Sequence, residues 1–116
     1  MRVFRVSETE GIEKAGYVAR YLAELNFGPP LESAGLIVVS LCKSTLTSPH
    51  RHLYLDELFI ALTSAIVHVE GKTVSLEQGD AVLVERGEAH SMEARDSPAV
   101  LFAVKLPNIP TDKVDV

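Results

Sequence analysis

Three histidines and one glutamate stand at spacings that could bring them to a common metal ion. His50 and His52 are two residues apart, and residues two apart in an extended chain point to the same face. Glu57 follows after a four-residue turn, and His90 lies on a later segment that could return beside them. Three imidazoles and one carboxylate suit a divalent first-row transition metal. In a six-coordinate shell two positions would stay open for water, dioxygen or substrate.

Each of these residues also has a simpler interpretation. A His-x-His pair taken alone is more often surface or core packing than a pair of ligands, and Glu57 could be a solvated acid beside Asp56. An apolar run begins directly after Glu57, however, so its carboxylate would be costly to bury unpaired, and a metal removes that cost. His68 belongs to no such pattern, and we expect it to be a surface or cross-strand residue.

The elements that must position these side chains are predicted to be short strands. Alternating and β-branched apolar runs predict strands over 36–43, 73–76, 81–85, 90–94 and 99–106, and two strands over 56–69 that bend near Ser64. The segment 17–25 also alternates as a strand, with a helix of about two turns as the alternative. Glu70-Gly71 is typical of a hairpin turn. Short strands joined by tight turns indicate an all-β sandwich or barrel.

Size and charge restrict the class of protein. The chain of 116 residues is expected to form a single domain, 1–116. Its net charge of −5, with scattered basic residues, argues against nucleic acid as a partner. No apolar segment is long enough for a membrane span, and residues 1–6 lack the pattern of a secretory signal. A single cysteine, Cys42, expected to be a small buried thiol, fits the reducing cytoplasm.

The same residues resemble the two motifs of the cupins. The first cupin motif is similar to Gly-x5-His-x-His-x3–4-Glu-x6-Gly and corresponds to about residues 44–64, with His50, His52 and Glu57. The second is similar to Gly-x5-Pro-x-Gly-x2-His-x3-Asn and corresponds to about residues 79–94, with Gly79, Gly87 and His90. The departures are at turn or framework positions, namely Ser44, Ser64, Glu85 and Ala94.

The resemblance implies an all-β double-stranded β-helix, the cupin jelly roll, with one divalent metal held by His50, His52, Glu57 and His90. Iron, manganese, nickel, zinc and copper all remain candidates for that ion. Alternation and position also suggest residues that line the metal pocket: Phe59, Ala61, Tyr54, Met92, Phe102 and Arg20. Tyr54, in the turn between ligands, could equally serve packing.

The same alternation directs Leu58, Ile60 and Leu62 to the outer face of the sheet. Such large apolar groups need cover, and cupins commonly pair, so we expect a homodimer. The expected function is that of a small dioxygenase-like non-haem metalloenzyme, with oxygenation, decarboxylation and isomerisation of a small organic substrate all open. The alternatives are a non-catalytic cupin that binds a sugar or acid beside a structural metal, and a metal-free relic.

Overall fold

A computed structural model describes residues 1–116, and almost all of its regular structure is strand. The strands are β1 (Arg2–Phe4), β2 (Gly11–Lys14), β3 (Tyr17–Arg20), β4 (Gly35–Leu41), β5 (Thr45–Leu46), β6 (His50–Arg51), β7 (Asp56–Ala61), β8 (Ala65–Val69), β9 (Lys72–Leu76), β10 (Ala81–Val84), β11 (His90–Ala94), β12 (Ala99–Leu106) and β13 (Val114–Asp115). One short 3-10 turn covers Val6–Glu8. None of the helical structure could cross a bilayer.

Two antiparallel sheets form the jelly roll. Five strands pair in the order β1-β10-β7-β12-β4, and six form the second sheet in the order β13-β6-β11-β8-β9, with β5 also paired to β11. Strands β2 and β3 pair only with each other, as a separate hairpin. The core lies between the two sheets, where Phe59 and Leu101 from the first sheet pack with Val67 and Val74 from the second. The predicted all-β jelly-roll fold is confirmed.

Strict alternation of burial explains why these segments are strands. In β7, Glu57, Phe59 and Ala61 are buried while the residues between them are half-exposed, and β8 and β12 repeat the pattern. The predicted bend near Ser64 is confirmed, because β7 ends at Ala61 and β8 begins at Ala65. The hairpin turn that follows β8 needs two left-handed residues, and Glu70 (φ 47°) and Gly71 (φ 77°) supply them.

Two local predictions are wrong. The segment 17–25 is strand only to Arg20, and its remainder runs along an apolar groove beside Leu58 and Ile60 on the outer face of β7. Those two outward residues are therefore partly covered by their own chain. Cys42 follows the end of β4 and is exposed rather than buried. Near the end of the chain, β13 pairs with β6.

Candidate metal centre

Strand pairing brings the three histidines and the glutamate to one end of the jelly roll. His50 in β6 lies directly opposite His90, the first residue of β11. His52 follows β6 by one residue, and Glu57 is the second residue of the neighbouring sheet's β7. His52, Glu57 and His90 are each at most 4% exposed, and His50 is half-buried. The two motifs of the sequence thus meet in space.

The four side chains lie close enough together that they could hold one metal ion. Oε1 of Glu57 lies 3.1 Å from Nε2 of His52 and 3.2 Å from Nε2 of His90. One ligand atom from each of the four residues lies within 4.8 Å of the others. Metal–ligand bonds of about 2.1 Å place adjacent ligands of an octahedral ion about 3.0 Å apart. The cluster can accept a divalent transition metal with little movement.

Backbone carbonyls fix the orientation of two of the rings. Nδ1 of His52 donates to the carbonyl of Asp112, and Nδ1 of His90 donates to the carbonyl of Glu88 at 3.0 Å. A carbonyl can only accept, so each Nδ1 carries the proton and the neutral ring offers its Nε2 lone pair to the shared centre. Without a cation, that lone pair would face the Glu57 carboxylate, or both rings would have to be charged. The donor chemistry therefore fits a metal.

The charge of Glu57 is maintained by its neighbours. Burial alone would raise the pKa of this carboxyl group, but the hydrogen bonds and charges of His52 and His90 lower it to about 2. Burial similarly opposes protonation of His52, yet its hydrogen bonds to Glu57 and Asp112 raise its pKa overall. The pKa of His50 is lowered, first by burial and then by the charge of His90. Glu57 is therefore ionised at neutral pH.

Asp112 holds the segment that follows His52 in place. Its carboxylate accepts the backbone N–H groups of Leu53 at 2.9 Å and Tyr54 at 2.7 Å, directly after His52. Gly87, which has φ 83°, donates its N–H to the carbonyl of His52 at 2.7 Å. The turn between His52 and Glu57 is thus held from two sides, by residues distant in sequence.

A cavity of about 180 Å³ opens beside His50, His52 and Glu57. It is lined by those three residues and by Ile37, Val39, Phe59, Met92, Ala103, Lys105 and Lys113. Phe59 also packs edge-on against the His90 ring, with 5.7 Å between ring centroids. Of the six residues suggested from sequence for the pocket, Phe59 and Met92 are among this lining.

The other four suggested pocket residues lie elsewhere. Ala61 is buried in the core between the sheets, beyond Phe59. Tyr54 is 65% exposed in the turn before β7. Phe102 lies between the inward residues of β12 and pairs with Val38 and Ile60 on the outer face. Arg20 borders the outer groove beside β7 rather than the metal cavity.

The sequence profile of the Cupin domain family matches residues 38–105, which is more than half of the chain. The chain belongs to the cupin family. This cupin superimposes on a cupin protein from Bacteroides fragilis with a TM-score of 0.61 and 18% identity, over 71% of this chain and 72% of the other. No curated protein matches the sequence significantly.

Two enzymes give similar superpositions. A salicylate 1,2-dioxygenase variant from Pseudoaminobacter salicylatoxidans, in complex with gentisate, gives a TM-score of 0.60 at 21% identity over 64% of this chain. An oxalate decarboxylase from Lactobacillus farciminis, in a formate complex, gives 0.64 at 16% identity over 72% of this chain. The match covers only 20% and 27% of those longer chains. These likenesses show the shared fold.

Sequence reasoning missed several cavity residues of this cupin. Lys105 continues the inward alternation of Leu101 and Ala103 along β12, so its position was readable from that pattern. Ile37 and Val39 lie on one face of β4, but an apolar strand does not reveal which face points inward. Nothing local in the sequence points to Asp112 or Lys113. His68 lies outside the cluster, where it contacts Thr73 and Glu93.

Proposed function

We propose that this cupin is a small non-haem metalloenzyme that acts on a small organic molecule at one divalent metal ion. His50, His52, Glu57 and His90 are the proposed ligands. The observation that carries the proposal is the pair of backbone-oriented rings whose Nε2 atoms lie 3.1 and 3.2 Å from one carboxylate oxygen. In protein metal sites, a histidine ligand usually donates the N–H of its second ring nitrogen to a fixed acceptor, which holds the ring in orientation.

The chain's own groups prepare a centre with open positions. The hydrogen bonds from Nδ1 of His52 and His90 to backbone carbonyls direct both rings inward, and Glu57 contributes one negative charge. When bound, the ion would act as a Lewis acid that orients and polarises a substrate oxygen. Phe59 and Met92 would exclude water from the side of the cavity that receives the substrate.

Dioxygenation and decarboxylation are the reaction classes we favour. They are the activities named for the salicylate 1,2-dioxygenase and the oxalate decarboxylase that share this fold. Gentisate and formate, found in those complexes, are both small carboxylate anions. The ligand set offers the open positions that either reaction requires, while the choice between them rests on residues around the metal.

The proposal is tested by metal content. Protein produced with added Fe²⁺ or Zn²⁺ should bind about one ion per chain, measured by elemental analysis after gel filtration. His52→Ala should lose most of that metal because it removes one ligand of four. His68→Ala is the matched control, since His68 contacts Thr73 and Glu93 outside the cluster. Equal losses in the two variants would contradict the ligand assignment.

Turnover is tested separately with the iron-loaded protein. Oxygen uptake with small diketones, catechols and 2-oxo acids should depend on His52 if the protein is an oxygenase. Ligand-induced thermal stabilisation without turnover of any substrate would instead support the alternative function, in which the cupin binds a small acid or sugar beside a structural metal. We also propose that the protein acts in the cytoplasm as a homodimer.

A further inference from the structure

Two lysines from different elements face the cavity beside the proposed metal site. Lys105 occupies the inward position of β12 that follows Leu101 and Ala103, directly across from Glu57 on β7. Lys113 lies in the segment that Asp112 fastens to the ligand turn, and it borders the cavity near His50. Two lysines from different parts of the chain thus line the same cavity.

Neither lysine has a charged partner in its own chain. No carboxylate lies within 4.0 Å of either ammonium nitrogen, and Glu57, the register partner of Lys105, is instead engaged by His52 and His90. Lys105 is partly buried, so its charge there is a cost unless an anion compensates it.

The charged groups that line the cavity differ in sign from the net charge of the whole chain. The chain carries a net charge of −5, whereas a divalent ion, the Glu57 carboxylate and two lysines together would carry about +3. A concave site of one sign attracts ligands of the other sign and raises their local concentration. The remaining wall is apolar, formed by Ile37, Val39, Phe59, Met92 and Ala103.

From this arrangement, and resting on the proposed metal-dependent function, we infer that the substrate is a small carboxylate with an apolar body, bound through its carboxylate to Lys105 and Lys113. The cavity of about 180 Å³ is slightly larger than the roughly 150 Å³ that holds benzene in an engineered apolar cavity. A phosphate ester fits less well, because its additional oxygens would face apolar walls and no arginine lines the cavity. Lys105 is the principal binding residue, since it is the more buried of the two.

Benzoate and its neutral analogue benzyl alcohol provide the test. Binding is followed by calorimetry and by NMR shifts, with zinc-loaded protein so that no oxidation occurs, and also with chelator-treated protein. Benzoate should bind wild type at least tenfold more tightly than benzyl alcohol does, and inorganic phosphate should compete poorly. Lys105→Met should weaken benzoate at least tenfold and leave benzyl alcohol unchanged, because only the charge-assisted contact is lost. Lys113→Met should weaken benzoate about threefold.

Two control variants separate charge at the site from net charge and from folding. Lys72→Met removes an exposed lysine on β9, outside the cavity lining, and should leave benzoate affinity unchanged. Lys105→Arg keeps the charge and should retain affinity within about threefold. An unchanged benzoate affinity in Lys105→Met, with normal zinc content, would overturn the inference and leave the metal site standing. If zinc does not bind, the chelator-treated protein still tests the inference. Its benzoate affinity, although weaker, should also fall in Lys105→Met.

Discussion

At the scale of single residues, the site depends on which nitrogen of each imidazole carries the proton. His52 and His90 both place Nδ1 against a backbone carbonyl, so the second nitrogen of each ring is free for the shared centre. The spacing of His50 and His52 predicts that they share a face, and the four-residue turn predicts that Glu57 returns near them. The carbonyl partners, which come from Asp112 and Glu88, could not be predicted. Every residue has a backbone carbonyl, so the sequence does not indicate which of them accepts a hydrogen bond.

This arrangement predicts how metal affinity depends on pH. In metal-free protein the pKa of His52 is raised above 6.5 by Glu57 and Asp112, which outweigh the opposing effect of burial. A metal must displace that proton, so apparent affinity should already fall between pH 8 and 6, approaching about tenfold per unit below the His52 pKa. The pKa of His50 is lowered, so its proton competes only at lower pH.

The measurement is a zinc titration against a competing chelator between pH 8 and pH 5, corrected for the protonation of the chelator. His68→Ala should give the same profile as wild type, because that ring is outside the cluster. A zinc affinity that stays constant down to pH 5 would rule out imidazole ligands.

At the scale of elements, the alternation of apolar residues was sufficient for β11 and β12, whose bounds are those expected, and close for β7 and β8. The two-residue strands β5 and β6 could not be predicted, since a pattern of period two needs at least four residues to be visible. Residues 21–25 alternate well enough for a strand but instead pack beside Leu58 and Ile60. The conformation of that segment is therefore determined by its contacts with β7 rather than by its own sequence pattern.

The backbone conformation of the turn after β4 is expected to lower the stability of the protein. Ser44 stands where the first cupin motif has glycine, and its φ of 59° is left-handed, which costs a non-glycine residue about 1–2 kcal/mol. Ser44→Gly should therefore stabilise the protein by about 0.5–1 kcal/mol, after allowance for the greater freedom of glycine in the unfolded chain. Ser64, also in place of a motif glycine, has no positive φ. Ser64→Gly should be neutral or destabilising in the same urea titrations, and the opposite order would refute this explanation.

The segment after β12 is a positioning element for the site. Asp112→Ala would leave the N–H groups of Leu53 and Tyr54 without their acceptor and loosen the turn that carries His52. We expect a loss of about 1–3 kcal/mol in the free energy of unfolding and about tenfold weaker zinc binding. Asp96→Ala, in an exposed turn, is the control for both measurements. Lower stability with unchanged zinc affinity would show that Asp112 acts only on the fold.

At the scale of the whole molecule, apolar surface remains exposed on the outer face of the five-stranded sheet and on the hairpin of β2 and β3. Leu36 is 69% exposed and Val38 58%. They alternate along β4 with Ile37 and Val39, which face the cavity. On the hairpin, Tyr17 is 62% exposed and Ile12 57%. A two-stranded hairpin without a packing partner is marginally stable in water, so both surfaces call for cover that the chain itself does not supply.

We therefore predict a homodimer in which a second copy covers the outer face of β4. The dimer should be seen by light scattering and sedimentation at micromolar concentration, because stable interfaces bury apolar cores of this kind. Val38→Glu places a charge in that interface and should shift the protein towards monomer. Leu46→Glu is the matched control, since Leu46 is 63% exposed on the other sheet. A wild-type monomer, or equal dissociation by both variants, would mean that the apolar face of β4 serves another partner or none.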